Sequence, residues 1–242
     1  MEYSQFRSLI VGSLEKNGLN DLSEQQYELF YAFGEYLLKV NQITNLTAIR
    51  NMPDVITKHF VDSLLVSEYI PQTARVLDLG CGAGFPSVPL AIARPDLTVV
   101  GLDSTAKKIA FVNEVAKQLG LSHLTAVAGR AEDPQMIELL GKFDAVTSRA
   151  VAALQILSEL CLPYVRRGGL FLPLKAAKAE EELRDARHGI AFLGGSEPIL
   201  HSCTLKTDIS AEPRCIIEIL KLQDTPKGYP RSYAAIFKKP LS

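Results

Sequence analysis

The sequence predicts an α/β protein in which a doubly wound, seven-stranded and mostly parallel sheet follows a helical N-terminal extension. From residue 76 onward, short apolar runs alternate with segments of helix length, which is the pattern of βαβ units on a parallel sheet. Residues 4–42 instead carry apolar side chains at helical spacing. With 242 residues, of which 47% are hydrophobic and 22% charged, the chain can bury one substantial core.

The expected elements follow one another in the second part of the chain. We predict strands at 76–80, 97–102, 124–128, 143–147, 170–174, 215–220 and 233–237, and helices at 105–119, 133–140, 151–164 and 178–193. Residues 221–232 are too few for a crossover helix, so the last two strands are expected to pair antiparallel at the sheet edge. We place the boundary between the helical extension, 1–72, and the sheet domain, 73–242, before the first strand.

Composition excludes several classes of protein. The net charge of −1 argues against a protein that coats nucleic acid by bulk positive charge, although a local basic face stays open. No apolar run has the length of a membrane helix, and the mixed N-terminus does not resemble a signal peptide. The four scattered cysteines favour a reducing compartment, and neither cysteine nor histidine spacing indicates a metal site. We therefore expect a cytoplasmic protein, monomeric by default, without a metal.

The most informative segment is a glycine-rich turn directly after the first predicted strand. Gly80, Gly82 and Gly84 alternate there, and glycine lets the backbone bend sharply and approach a ligand closely. A turn that needs glycine for its geometry alone is the plainer alternative, and a single glycine would have favoured it. Three glycines at alternate positions favour a nucleotide site.

The residues around the turn distinguish between nucleotide cofactors. The dinucleotide fingerprint would need its third glycine at the position of Phe85. Asp78 precedes the turn and would repel a pyrophosphate at the helix N-terminus. S-adenosylmethionine carries an ammonium and a sulfonium but no phosphate, so a neighbouring carboxylate favours it. The order of acid and glycines therefore favours S-adenosylmethionine over NAD.

The ends of the next two predicted strands carry further candidates. Asp103 lies about 20 residues past the glycines, where a carboxylate accepts hydrogen bonds from ribose hydroxyls. NAD enzymes use the same arrangement, so Asp103 indicates a nucleoside in general. Ala131 and Glu132 follow the third strand, in position to flank an adenine ring. For Glu132 alone, a favourable charge at a helix N-terminus is an equally good interpretation.

Some classes of methyl acceptor are disfavoured by what the sequence lacks. Residues 147–150 read Thr-Ser-Arg-Ala, where enzymes that methylate exocyclic amines have an Asn/Asp-Pro-Pro-aromatic loop. The Pro-Cys dipeptide that supplies a thiolate nucleophile in cytosine-C5 enzymes is also missing. The acceptor that remains is a nucleophile able to attack without covalent help.

Six segments stand out along the chain: 45–49 (NLTAI), 58–64 (KHFVDSL), 82–86 (GAGFP), 129–132 (GRAE), 148–151 (SRAV) and 229–231 (YPR). Together they resemble one family, the bacterial 16S ribosomal RNA guanine-N7 methyltransferases, also called glucose-inhibited division protein B. They occur in order, and the resemblance extends from about residue 20 to 240. The glycine segment alone is generic, whereas the second and fifth segments together are specific.

The resemblance implies a class I methyltransferase fold, S-adenosylmethionine as cofactor, and 16S ribosomal RNA or the small ribosomal subunit as partner. The acceptor would be N7 of a guanine, nucleotide 527, in the 530 loop. Five residues match cofactor-site positions of the family: Gly80, Phe85, Ala131, Glu132 and Arg149.

Four residues are candidates for contact with the RNA: Asn45, His59, Lys175 and Arg231. His59 and Asp62 are three residues apart, so a helix would place both on one face. That face either covers the methyl-transfer pocket or holds a structural hydrogen bond between the two side chains. Asn45 either caps a helix or lines the RNA entrance.

The C-terminal tail is basic and is expected to neutralise phosphates as a group, although any single lysine is better explained as solvated. Its charged residues are Lys221, Lys227, Arg231, Lys238 and Lys239 against Asp224.

The chain also departs from the usual pattern of the family. Ser87 and Ala176 stand where glycine is common, and residues 232–236 replace a proline- and glycine-containing run. The shape of the C-terminal RNA contact is thereby left open. Two other functions also remain: a methyltransferase for a small molecule or protein, and a non-catalytic ribosome-binding factor that kept the fold.

Overall fold

A single seven-stranded sheet forms the centre of the protein, which a computed structural model describes for residues 1–241. The strands are β1 (Arg75–Leu79), β2 (Thr98–Asp103), β3 (Leu124–Ala128), β4 (Phe143–Arg149), β5 (Val165–Lys175), β6 (Ile199–Lys206) and β7 (Ala211–Leu220). Their spatial order is β3-β2-β1-β4-β5-β7-β6. The first five strands run parallel, and β7 pairs antiparallel with both β5 and β6. The predicted mostly parallel sheet is confirmed.

Helices cover both faces of this sheet. They are α1 (Tyr3–Lys16), α2 (Glu24–Thr44), α3 (Met52–Asp54), α4 (Asp62–Leu64), α5 (Ser87–Ala93), α6 (Ala106–Gln118), α7 (Pro134–Leu140), α8 (Leu154–Cys161), α9 (Ala179–Phe192) and α10 (Tyr233–Lys238), and the π-helical segment Val55–Val61 joins α3 to α4. Helices α1 to α6 bury apolar residues on one face, and α7 to α10 on the other. This is the doubly wound arrangement. Within residues 1–241, no helix is both long and apolar enough to span a membrane.

The N-terminal helices pack on the sheet domain through a shared core. Helix α2 begins at a capping box, in which the Ser23 hydroxyl accepts from the Gln26 amide and the Gln26 side chain accepts from the Ser23 amide. The side-chain nitrogen Nε2 of Gln26 also donates to the carbonyl of Ile92 at 2.9 Å. Phe33 of α2 lies against Phe85 of the glycine turn, with ring centroids 5.5 Å apart. The helical extension thus reaches the turn itself. The division into residues 1–72 and 73–242 stays a prediction, and Ser242, the last residue of the second part, lies outside the described residues.

The prediction for the end of the chain was wrong. Residues 233–237 form part of the helix Tyr233–Lys238, and the strand that pairs with Ala211–Leu220 at the sheet edge is Ile199–Lys206. The edge strand was missed because only one of its eight side chains is fully buried, so it has no continuous apolar run. The apolar run at 233–237 was misleading because it buries only Ile236.

Candidate active site

A cleft of about 1110 Å³ opens at the C-terminal ends of β1 to β4. It lies where strand order reverses between β1 and β4, the place at which open α/β sheets bind ligands. Seven of the nine predicted cofactor residues line it: Gly80, Gly82, Phe85, Asp103, Ala131, Glu132 and Arg149. Gly84 and Asp78 lie behind this lining.

The glycine turn needs its glycines for two different reasons. Gly80, Gly82 and Gly84 all have positive φ angles, of +78°, +55° and +94°. A Cβ atom on Gly80 would lie 2.3 Å from a methyl group of Val151, across the cleft lining. A Cβ atom on Gly84 would lie 2.5 Å from a methyl group of Val88, so this glycine allows the turn to pack on α5. Gly80 therefore serves the cleft, and Gly84 serves the packing beneath it.

Asp78 is completely buried directly below the turn. One carboxylate oxygen, Oδ2, accepts hydrogen bonds from the amide and the hydroxyl of Ser87. The other oxygen, Oδ1, has no hydrogen-bond partner among residues 1–241. Burial raises the pKa of Asp78 to about 6 from its usual 3.8. A buried acceptor without a partner is costly, which is typical of a group that a ligand or a water completes.

Asp103 ties the second strand to the glycine turn. Its Oδ2 accepts from the amide of Gly82 at 3.0 Å, and its Oδ1 accepts from the amide of Thr105 at 2.8 Å. The carboxylate is half-buried at the cleft wall, so each oxygen retains a lone pair for a further donor. The strand end thus holds the turn in place and presents an acceptor to the cleft.

A network of three charged side chains forms part of the cleft wall. Arg149 donates to Oδ2 of Asp62 at 2.9 Å, and Arg214 of β7 donates to Oδ1 of the same carboxylate at 2.7 Å. Arg149 also donates to the carbonyl of Lys58 at 3.1 Å. Burial lowers the pKa of Arg149. Since one carboxylate serves both guanidinium groups, Asp62 sets the position of both arginines.

His59 lines the cleft and lies flat against Phe85, with ring centroids 4.1 Å apart and planes 13° from parallel. Burial and the neighbouring Arg149 lower the pKa of His59 to about 3, so the imidazole is neutral. Its Nδ1 lies 3.4 Å from a guanidinium nitrogen of Arg149, which can only donate, and its Nε2 lies 2.8 Å from the hydroxyl of Thr47. These contacts assign the proton to Nε2. Within residues 1–241, no hydrogen bond joins His59 to Asp62, which favours the first interpretation of this pair.

Two of the other candidates for RNA contact, Lys175 and Asn45, differ in their surroundings. Lys175 lines the cleft, and its ammonium donates to the carbonyl of Ala152 and to Glu182 of α9 at 2.6 and 2.7 Å. Asn45 ends α2 with a left-handed φ of 49° and accepts from Arg50 at 3.0 Å, directly before the lining residues Leu46 and Thr47. The structure thus places Lys175 in the lining and Asn45 at the end of α2 beside it, and an RNA contact of either residue stays a prediction.

Two basic residues of the C-terminal tail are committed to structural contacts. The guanidinium of Arg231 pairs with the fully buried Glu159 of α8 at 2.6 Å and lies outside the cleft lining. Lys221 is buried and donates to the carbonyl of Leu193, and burial lowers its pKa to about 8. Lys221 is therefore not a phosphate contact, contrary to its inclusion in the expected basic tail.

Comparison with known proteins settles the family. The model of the family described as rRNA small subunit methyltransferase G (GidB) matches residues 26–210. A Ribosomal RNA small subunit methyltransferase G of Lachnoclostridium phytofermentans is 43% identical over 237 residues, which is 97% of each chain. One of Lactobacillus acidophilus is 41% identical over 92% of this chain and 93% of its own. The chain belongs to the rRNA small subunit methyltransferase G family.

A solved structure agrees on the fold. An O-methyltransferase of Bacillus cereus in complex with SAH superimposes with a TM-score of 0.57 and 19% identity, covering 91% of this chain and all of that chain. The predicted family, class I methyltransferase fold and enzyme class are confirmed. The chain is a methyltransferase with S-adenosylmethionine as its methyl donor.

The residues of the cleft fit this donor in three respects. The orphan Oδ1 of Asp78 is an acceptor for an ammonium, directly or through one water. Gly82 leaves room against the backbone that a side chain would fill, and the bare backbone of Gly80 lets Val151 approach the turn. Asp103 and Glu132 supply carboxylates at two adjacent strand ends. The role of each residue toward the donor stays a prediction.

Sequence reasoning missed several residues of the lining, among them Lys108, Arg214 and Tyr233. Lys108 lies in the first turn of α6, and its position after the strand end at Asp103 was a usable signal. Arg214 reaches the cleft only because β7 lies beside β5. Tyr233 belongs to the segment that was predicted as a strand.

Replacing Gly80 by alanine is expected to weaken S-adenosylmethionine binding about tenfold or more, since its Cβ would displace Val151 from the cleft wall. Gly141→Ala is a matched control, because Gly141 has a similar φ of +67° and nothing within 4 Å of the new Cβ. The control also places a side chain at a positive φ, with backbone strain of about 1–3 kcal/mol, and Gly141 does not line the cleft. Isothermal titration calorimetry measures both, and equal affinity in Gly80→Ala and Gly141→Ala would contradict the assignment.

Proposed function

We propose that this methyltransferase transfers a methyl group to N7 of a guanine in 16S ribosomal RNA, at nucleotide 527 in the 530 loop. The proposal rests on the family and on one observation, the neutral stack of His59 on Phe85 beside the glycine turn. A flat apolar surface of this kind can receive a base that is turned out of an RNA loop. We further infer action in the cytoplasm, as a monomer, on the RNA or the small subunit.

The chemistry of N7 calls for no general base, and the imidazole that lines the cleft does not act as one. N7 of guanine has a free in-plane lone pair and carries no proton, so methyl transfer releases none. His59, with a pKa of about 3, cannot accept a proton at neutral pH. The side chains therefore act by holding nucleophile and methyl group in line, which can contribute about 7–11 kcal/mol.

The transfer moves positive charge from the donor onto the guanine ring. The neutral ring stack of His59 and Phe85 offers a π surface that can stabilise such a charge. Arg149 lies 5.4 Å from the ring of Phe85 and would oppose it, but Asp62 neutralises this arginine at 2.9 Å. We infer that Asp62 keeps the potential beside the guanine from becoming too positive.

We assign the donor-binding roles as follows. S-adenosylmethionine supplies the electrophilic methyl group when bound. The carboxylate of Asp103 accepts from the ribose hydroxyls, and Ala131 and Glu132 flank the adenine. Asp78 is the partner of the ammonium, and Lys108 of the donor's carboxylate, since both lie next to the glycine turn.

The experiment uses small subunits and 16S ribosomal RNA from cells that lack the gene, with S-adenosylmethionine labelled in the methyl group. We expect label at one guanine, located by borohydride reduction and aniline cleavage, which break the chain at N7-methylguanine. Subunits from cells that keep the gene are the control and should accept little label. Label in metabolites or proteins, with none in 16S ribosomal RNA, would overturn the proposal.

A further inference from the structure

Helix α10 displays two aromatic rings at the edge of the cleft. Its one buried side chain, Ile236, packs on the core, whereas Tyr233 and Phe237 are 39% and 67% exposed. The two rings lie nearly parallel, 19° apart, with centroids separated by 6.3 Å. Tyr233 belongs to the cleft lining, so the ring pair continues the cleft outward. Neither ring serves the core, and their exposure therefore calls for another explanation.

The short helix is held rigidly in this position. Arg231, just before it, donates through its amide and Nε to Oε1 of the buried Glu159, at 2.9 and 2.8 Å. The same guanidinium donates to the carbonyl of Lys239, just after the helix, at 3.0 Å. Both ends of α10 are therefore fixed to α8 through one arginine. Because the helix is already fixed in place, its exposed rings can bind a ligand with little loss of conformational entropy.

The charges next to the rings favour a polyanion. Lys238 and Lys239 are both exposed beside Phe237. Neither lysine makes an ion pair within the part of the chain that the structure describes. Arg130 adds a largely exposed guanidinium elsewhere on the cleft wall. Exposed aromatic rings interleaved with cations are the usual surface for single-stranded nucleic acid.

We propose that Tyr233 and Phe237 form a platform on which bases that flank the target guanine stack. The inference rests on the proposed function, and it adds the surface that takes the neighbouring nucleotides. Stacking uses the π face that every base has, so the platform fixes position and not sequence. Lys238 and Lys239 would meet the phosphates of the same nucleotides. Tyr233 lies within residues 232–236, the run expected from the sequence to differ from the usual pattern of the family, and Phe237 follows directly.

The test compares Tyr233→Ala, Phe237→Ala and the double variant with the wild-type protein on unmethylated small subunits. Each alanine is expected to raise the KM for the subunit about five- to a hundredfold, with kcat little changed. The Kd for S-adenosylmethionine, measured by calorimetry, should stay the same. Tyr233→Phe keeps the ring and should behave as the wild type. Ile209→Ala removes an exposed apolar side chain in the turn between β6 and β7, and serves as the matched control.

Ultraviolet cross-linking of the wild-type complex identifies what the rings touch. We expect a nucleotide adduct on Tyr233 or Phe237. The platform would be overturned if the wild-type rings cross-linked to a ribosomal protein, or if they gave no RNA adduct and the double variant kept the wild-type KM. Methylation of the RNA would in either case still support the proposed function. Wild-type protein that fails to methylate 16S ribosomal RNA would instead overturn the proposed function.

Discussion

Replacing Asp78 by asparagine is expected to stabilise the cofactor-free protein at pH 8 and to weaken S-adenosylmethionine binding about tenfold or more. The side chain is completely buried, and its Oδ1 has no partner among the described residues. A pKa of about 6, in place of 3.8, corresponds to about 3 kcal/mol of unfolding free energy lost once the carboxyl is ionised. Asparagine keeps an acceptor for Ser87 without the buried charge.

The pH dependence of this effect has a definite sign. The folded protein holds the Asp78 proton more tightly than the unfolded chain does, so the wild-type protein loses stability as pH rises from about 3.8 to about 6. The advantage of Asp78→Asn should therefore be small at pH 4 and large at pH 8. Denaturant unfolding at both pH values measures it.

Asp103→Asn is the matched control for the stability gain, because both oxygens of Asp103 already accept backbone hydrogen bonds. The control should gain no stability at pH 8. An Asp78→Asn variant that is less stable than the wild type at pH 8, and that binds the donor as tightly, would contradict both roles assigned to this carboxyl.

Replacing Asp62 by alanine is expected to cost about 3–5 kcal/mol of unfolding free energy and to abolish methyl transfer. The change leaves Arg149 and Arg214 without their shared carboxylate, and their side chains are only 13% and 18% exposed. Two largely buried cations would then face each other near the cleft. Denaturant unfolding and a methyl-transfer assay measure the two effects.

Two further variants separate the network from ordinary surface pairing. Glu212→Ala removes a more exposed partner of Arg214, 3.0 Å away, and should cost no more than about 1 kcal/mol. In the Asp62→Ala background, Arg214→Leu removes one unpaired cation and should restore part of the lost stability without restoring activity. A loss below about 1 kcal/mol for Asp62→Ala would refute the network as a support of the wall.

The mostly parallel sheet and the location of the site could be predicted because both depend on local patterns. Alternating apolar runs identify parallel strands, and glycines at 80, 82 and 84 lie directly after the first of them. The C-terminal ends of parallel strands meet at one edge, so Asp103 and Glu132 could be placed together without coordinates. Nothing about these inferences required a long-range contact.

The remaining errors and omissions come from tertiary contacts. Asp62 and Arg214 are 152 residues apart and meet only because the edge strands fold back beside the parallel ones. Arg231 was predicted to contact RNA, whereas in the structure its guanidinium pairs with the buried Glu159. The orientation of Asp78 also escaped prediction, because Ser87 nine residues later takes one of its oxygens. A sequence shows which charged residues lie near a turn, but tertiary contacts determine the partner with which each of them pairs.

The most direct measurement is a crystal structure of the protein with S-adenosylmethionine or its demethylated product bound. We expect the donor in the glycine turn, with its ribose hydroxyls on Asp103 and its ammonium linked to Oδ1 of Asp78, directly or through one water. The transferred methyl group should point toward the ring stack of His59 and Phe85. A turn that stays empty at saturating donor, or that holds a diphosphate in its place, would contradict the account.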